Sequence, residues 1–256
     1  MSRRWTVSAA IILLIAAVDS PMSAEERRPG SPLKKDHVRF CADAANLPFS
    51  SQDGQIPGFE VELARLIARE LGVEARFQWI LTWVRPYWEL KRGECDVFMG
   101  LPPSPRLTQA NPWIAVSRPY YTMTYAIVAR ADAAIREPSD LAGKRVAVDA
   151  GRPAEYWLLE HGFERGIYKR QEDVFRGVEV GEAPAGLLPF PLATWLSRDK
   201  SGLVVIPLAE PSLAFSLGAA TRRDDGPLTE VVDDTIARLL ATGAIEEILR
   251  RYKAVP

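Results

Sequence analysis

Residues 38–42 (Val38, Arg39, Phe40, Cys41, Ala42) form a short apolar strand that opens into a polar and aromatic loop, and after Ile56, Pro57 and Gly58 the chain becomes an amphipathic helix. Phe59, Leu63, Leu66, Ile67 and Leu71 fall at helical spacing, Glu62, Arg65, Arg69 and Glu70 are polar, and Gly72 supplies the stop. A strand that ends in a loop just before a helix is how open α/β sheets present a binding crevice. Asp43, Asn46 and Phe49, all in that loop, are therefore candidate crevice residues. The succession then repeats. Residues 73–79 read as a strand, 87–91 as a helix stopped by Gly93, and 97–99 as a buried strand delivering Gly100 and a proline-rich loop, Leu101, Pro102, Pro103, Ser104, Pro105, Arg106. Strand, helix, strand, helix, strand implies a parallel sheet covered on both faces.

A second unit restarts at Asp140, Leu141, Ala142, Gly143, Lys144, with a strand over 145–148, a turn at Gly151, helices over 153–160 and 171–180, and a short strand over 203–206. Extended segments at 123–129 and 213–219 join the two units, and helices over 227–241 and 244–252 close the chain, the first opened by a proline in its first turn. The reading is α/β with two lobes: two open, mostly parallel sheets joined by a two-strand hinge, with the crevice between them. Lobe 1 takes 37–125 and 212–256, and lobe 2 takes 126–211.

The amino terminus has its own logic. Arg3 and Arg4 precede an apolar run over 7–18, too short for a comfortable membrane span and of the length of a signal-peptide core. Met22, Ser23 and Ala24 place cleavage near Ala24, so export to the periplasm is expected, an uncleaved anchor being the alternative. Residues 25–36, with Pro29, Gly30, Pro32, Lys34 and Lys35, read as a flexible leader. Losing Arg3, Arg4 and Asp19 moves the net charge from −1 to −2, which makes no electrostatic case for nucleic acid.

In an exported chain, Cys41 and Cys95 suggest a disulfide that would contribute roughly 4 kcal/mol by chain entropy. Strand spacing weighs against it. If the strands holding them are parallel neighbours with level carboxyl ends, the cysteines lie several residues out of step, and at about 3.3 Å per residue that exceeds the roughly 7 Å Cα limit.

Enzyme constellations are scarce. His37 and His161 neighbour no nucleophile or ligand cluster, and no metal spacing, phosphate loop or nucleophile elbow occurs, so no cofactor is called for and the chain is read as a non-enzyme.

The order of the pieces resembles the periplasmic solute-binding proteins of family 3, the type that binds polar amino acids. The resemblance covers about residues 37–254. It is carried by the 38–49 opening, Gly58-Phe59-Glu60-Val61, Gly93-Glu94-Cys95-Asp96-Val97, Arg118-Pro119-Tyr120-Tyr121 and the run from Asp140 to Val148. It implies a carboxylate-binding arginine at Arg106, in a loop one residue shorter than usual, and backbone donors after Gly100 and Gly151. It also implies an ammonium-binding aspartate at position 189 and a stacking aromatic at position 46. The chain departs from that pattern: Pro102, Pro153, Pro189 and Asn46 occupy these positions, and proline has no N–H to donate and no carboxylate. A zwitterionic amino acid is thus expected to bind poorly.

A narrower pattern, Cys-Ala-Asp and Asn-Leu-Pro-Phe-Ser over 41–50 with Cys-Asp-Val and Met-Gly-Leu-Pro over 95–102, is similar to solute-binding-like proteins associated with quinoprotein methanol dehydrogenases. Relative to them, residues 102–117 are longer and the second lobe is shorter. This resemblance implies a partner, a pyrroloquinoline-quinone (PQQ) dehydrogenase or its cytochrome c, in place of an ABC permease. A third resemblance, to periplasmic cyclohexadienyl dehydratase, would need one carboxylic acid in the cleft, Glu155 or Glu182.

Each candidate also has a plainer role. Asp43 can cap its own loop as an Asx turn, Phe49 can fill core, and Arg106 can be a solvated loop charge. Arg152, opening a helix where amides and dipole favour an anion, can equally be a surface arginine. Trp79, Trp83, Trp88 and Trp113 cluster in the first lobe, as core or as an exposed partner surface.

Overall fold

The computed structural model describes residues 35–80 and 85–255. The export segment, the leader up to residue 34 and Trp83 lie outside the described residues.

The chain builds β1 (His37–Asp43), β2 (Ala45–Asn46), β3 (Ser50–Ser51), α1 (Phe59–Glu70), β4 (Glu74–Ile80), α2 (Arg85–Arg92), β5 (Val97–Leu101), α3 (Pro105–Ala110), β6 (Ile114–Val116) and β7 (Tyr121–Met123). It crosses to a second sheet with β8 (Tyr125–Arg130), followed by β9 (Arg145–Asp149), α4 (Pro153–Glu160), β10 (Glu164–Tyr168), α5 (Gln171–Glu179), β11 (Ala185–Pro189), α6 (Phe190–Ser197) and β12 (Leu203–Leu208). It returns with β13 (Phe215–Arg222), α7 (Gly226–Ala241) and α8 (Ala244–Arg251).

The first sheet has the order β4-β1-β5-β13-β6 with β7 also on β13, and the second β10-β9-β11-β8-β12. Strands that alternate with helices run parallel, because only a helical crossover returns the chain to start a parallel neighbour; the crossing strands β8 and β13 run antiparallel to theirs. Both faces of each sheet are covered, which is why the central strands are apolar nearly throughout. In lobe 1, Val38 and Phe40 meet α1, α7 and α8 through Leu63, Ile67, Val232, Ile236 and Ile248, while Cys41 faces Leu90 and Ile114 on the other side. In lobe 2, Ile127 and Ala129 pack with Trp157 and Leu158 of α4, and Ala126 and Val128 with Val174 and Val178 of α5. Each buried large side chain contributes about 1.5 to 3 kcal/mol.

Four expectations are corrected. Cys41 and Cys95 are disulfide-bonded, with Cα atoms 5.5 Å apart. Cys95 does not lie in line with its strand as the spacing implies: β5 starts at Val97, with Phe40 opposite Val97 and Cys41 opposite Phe98. Cys95 belongs to the turn leaving α2, where Glu94 N–H donates to the Glu89 carbonyl, and is buried over the sheet face beside Cys41 and Leu90. The proline-rich loop is shorter than expected, because Ser104 caps α3 by accepting from Leu107 N–H at 3.1 Å and Pro105 takes the first helical position. The segment at 123–129 splits at Thr124 into β7 and β8, in different sheets. The returning segment becomes a strand only from Phe215, after a 3-10 turn at Pro211–Leu213. β10, β11 and α6 had no counterpart in the sequence reading.

Candidate functional site

Register fixes where the crevice lies. Leu101, the last residue of β5, stands opposite Gly218 of β13, whose neighbour Leu217 pairs with Tyr121. In the second sheet Pro189, the last residue of β11, stands opposite Tyr125. Tyr121 and Tyr125 lie on one crossing segment, so the carboxyl edges of the two sheets meet there. This is the place where open α/β sheets bind ligands.

On the lobe 1 side the loop is largely self-satisfied. Asp43 Oδ1 accepts from Ala45 N–H at 2.9 Å, an Asx turn. The Pro48 and Phe49 carbonyls accept from Phe59 N–H and Glu60 N–H, both at 2.9 Å, and so take the first amides of α1. Gly58, at φ 91°, makes this possible, since a Cβ there would come 2.4 Å from the Phe49 carbonyl oxygen. Asn46 is exposed on β2. Phe49 is half-buried: its ring lies 4.9 Å from that of Phe59 and packs on the lobe 1 core, because the loop folds back over α1. Leu101 is likewise buried with the disulfide cluster, so only its backbone reaches the edge. Arg106 is exposed in the first turn of α3.

Gly100 has a neighbour that sequence reasoning missed. Its φ is 85°, and a Cβ would sit 2.8 Å from Glu60 Oε1. Tyr120 O–H donates to that oxygen at 2.6 Å and also makes a backbone hydrogen bond with Gly100. Burial pushes the Glu60 carboxyl up to about 7, offset only in part by the Tyr120 bond. Both residues sat inside the motifs that mark the fold, and nothing in their spacing joined them.

On the lobe 2 side the amide of the Gly151 turn is already bonded within the chain. Gly151 N–H donates to Glu155 Oε2 at 2.6 Å, and Arg165 holds the other oxygen at 2.9 Å. Arg152 Nε lies 3.3 Å from Asp149 Oδ2. Asp149 ends β9 almost fully buried, its Oδ1 has no hydrogen-bond partner, and burial pushes its carboxyl upward against the pull of Arg152. Asp149, like Glu60 and Tyr120, was missed by the sequence reading; a carboxylate ending an apolar strand was the available signal. Pro189 is buried at the end of β11, and Phe190 N–H donates to the Thr124 carbonyl at 2.8 Å, so position 189 offers the crevice neither carboxylate nor amide.

Both dehydratase candidates are engaged by other side chains. Glu155 is committed to Gly151 and Arg165, and exposed Glu182 accepts from Tyr168 O–H at 3.1 Å. His37 begins β1 and pairs with Asp36 at 2.7 Å; His161 Nδ1 lies 2.8 Å from the Trp157 carbonyl.

The model of the bacterial extracellular solute-binding proteins, family 3, matches residues 38–255. The arginine-binding extracellular protein ArtP of Bacillus subtilis is 27% identical over 98% of this chain and 98% of its own length. Protein MoxJ of Methylorubrum extorquens is 27% identical over 97% of this chain and 94% of its own. Among solved structures, an ancestral cationic amino acid solute-binding protein superposes with a TM-score of 0.73 at 27% identity, covering 85% of this chain and 95% of that one.

Proposed function

The chain belongs to the bacterial extracellular solute-binding proteins of family 3, and from that premise we propose that it is a non-catalytic periplasmic accessory of a PQQ-dependent methanol or alcohol dehydrogenase and not a receptor for free α-amino acids. The contact that carries this reading is the one between Gly151 N–H and Glu155. The family resemblance places the carboxylate donor just after Gly151, where Pro153 has no N–H, and the neighbouring Gly151 amide is taken by the protein's own carboxylate, pinned by Arg165. Pro102, Pro153 and Pro189 add no donors. A ligand carboxylate would have to displace Glu155 or remain unpaired, at a cost of several kcal/mol. The pattern over 41–50 and 95–102 supports the dehydrogenase association. Affinity capture with the mature protein from native periplasm is expected to recover a quinoprotein dehydrogenase or its cytochrome c; recovery of neither contradicts the reading.

A second reading is favoured by ArtP, described as arginine-binding, and by the cationic amino acid solute-binding structure. In it the chain is the substrate-binding component of an ABC transporter for a small polar solute and meets a permease. Exposed Arg106 is then available to an anionic group, and Arg106→Ala is expected to weaken such a solute about tenfold in calorimetry against a metabolite panel. An unchanged affinity would remove Arg106 from the site.

A further inference from the structure

At the end of lobe 1 opposite the crevice, the surface carries an aromatic and cationic face that the crevice does not use. Thr221 pairs with Val97, the first residue of β5, and Arg222 with Ile114, the first of β6. The end of β13 is therefore at the pole remote from Gly100 and Leu101. A hollow of about 570 Å³ opens there, lined by Lys91, Pro112, Trp113, Arg222, Arg223 and Asp224.

Its charges do not balance. Lys91 Nζ sits 5.7 Å from the Trp88 ring and 5.8 Å from the Trp113 ring, and among the described residues no carboxylate pairs with it. Arg223 donates to the Pro112 and Ile114 carbonyls, at 2.7 and 2.8 Å, and likewise meets no carboxylate among the described residues. Arg222 donates to the Leu90 and Cys95 carbonyls and is paired with carboxylates, buried Asp96 at 3.5 Å, Asp224 at 3.9 Å and Asp225 at 4.0 Å. Of the three lining cations Arg222 is thus neutralised, and the excess positive charge rests on Lys91 and Arg223. Beside the hollow, Trp88 is 55% exposed. Indoles flanked by cations are the chemistry of binding hot spots, and two unneutralised cations select a negative partner. Trp88 lies outside the hollow's lining, so an occupant that fills the hollow and also covers Trp88 is larger than a small anion.

We propose that this pole of lobe 1 is a docking surface for an acidic segment of a partner protein, with a Glu or Asp side chain against Lys91 and Arg223 and an apolar residue on Trp88 and Trp113. The proposal rests on the accessory reading only for the existence of a protein partner. Because the surface is remote from the crevice, docking leaves the crevice free.

The test uses the mature protein carrying a photo-crosslinking benzoylphenylalanine in place of Trp88, irradiated in native periplasm, with the joined peptides identified by mass spectrometry. Lys91→Glu is the companion variant, because the Lys91 side chain is exposed and, among the described residues, makes no hydrogen bond whose loss would unfold the lobe; a thermal melt checks its folding, and Lys91→Arg is the rescue. The expected result is cross-linking to an acidic segment of one protein, with yield falling at least tenfold in Lys91→Glu and returning in Lys91→Arg. If that protein is a transporter permease, the surface stands and the accessory reading fails. If affinity capture recovers a dehydrogenase yet position 88 does not cross-link to it, or Lys91→Glu leaves the yield unchanged, the surface is overturned and the accessory reading stands. Cross-links to a second copy of this chain, or a small anion that protects position 88 with no protein joined, also overturn the proposal. Absence of any product overturns it too.

Discussion

A single buried carboxyl illustrates how residue-level chemistry is set by packing. Glu60 lies against Gly100 because only a glycine leaves room for its oxygen, and Tyr120 donates to it at 2.6 Å. Its carboxyl titrates at about 7 in the folded protein against 4.5 for the free group, with burial the cause. Below 4.5 both folded and unfolded chains hold the proton. Between 4.5 and about 7 the folded chain keeps a proton that the unfolded chain has released, so stability falls as pH rises through that window. The full loss is on the order of 3 kcal/mol, most of it between pH 5 and pH 8. Glu60→Gln removes the titration, so urea unfolding of wild type and variant at pH 5 and pH 8 is expected to show a steeper fall for wild type by that amount. Parallel profiles would mean that the carboxyl is not held protonated. The same scale shows what a sequence hides: Glu60 and Tyr120 were visible as letters in two separate motifs, but their meeting depends on β13 bringing the segment at 117–121 beside Gly100, a contact spanning 60 positions in sequence.

At the scale of elements, periodicity was readable where an element buries one face and unreadable where it buries two. The stripe of α1 was visible as spaced apolar residues, and the proline at the start of α4 marked its first turn. β11 and α6 run together as Ala185–Pro189 and Phe190–Ser197, buried along most of their length, so neither a period of two nor one of 3.6 emerges. α3 was missed although Ser104 and Pro105 carry a capping signature, because three prolines in four positions have the composition of a loop. The disulfide belongs at this scale as well. It staples the turn after α2 to β1 across a separation of 54 residues, and a loop of that length contributes about 4 kcal/mol in the chain-entropy model. The paired substitution Cys41→Ala with Cys95→Ala is expected to lower stability by about 2 to 4 kcal/mol in urea unfolding while leaving the far-UV spectrum in place. Coincident unfolding midpoints would show that the core around Leu90 and Ile114 holds this turn unaided.

Across the whole molecule, the two sheets meet at their carboxyl edges, and the chain passes between them at Thr124 and again before Phe215. The carboxyl tail reinforces that junction: Tyr121 O–H donates to the Ala254 carbonyl at 2.7 Å, Thr194 O–H of α6 donates to the Lys253 carbonyl at 2.8 Å, and Trp195 lies 6.1 Å from Tyr252. This architecture was legible in outline from the order of strands and helices, since a repeated βα succession admits few topologies. The site was legible only as positions. Prolines at 102, 153 and 189 announced missing donors, but that Glu155 turns back onto the Gly151 amide depends on where α4 begins and how Arg165 of β10, itself unforeseen, reaches the same carboxylate. We propose that this family 3 scaffold carries a crevice unsuited to free α-amino acids, with Glu155 on the Gly151 amide and prolines at 102, 153 and 189. Isothermal titration calorimetry of the mature protein with arginine, histidine, cystine and glutamine tests it most directly. The prediction is no binding tighter than about 1 mM, a standard free energy weaker than about 4 kcal/mol, whereas micromolar binding of any of them by the unaltered protein would contradict it.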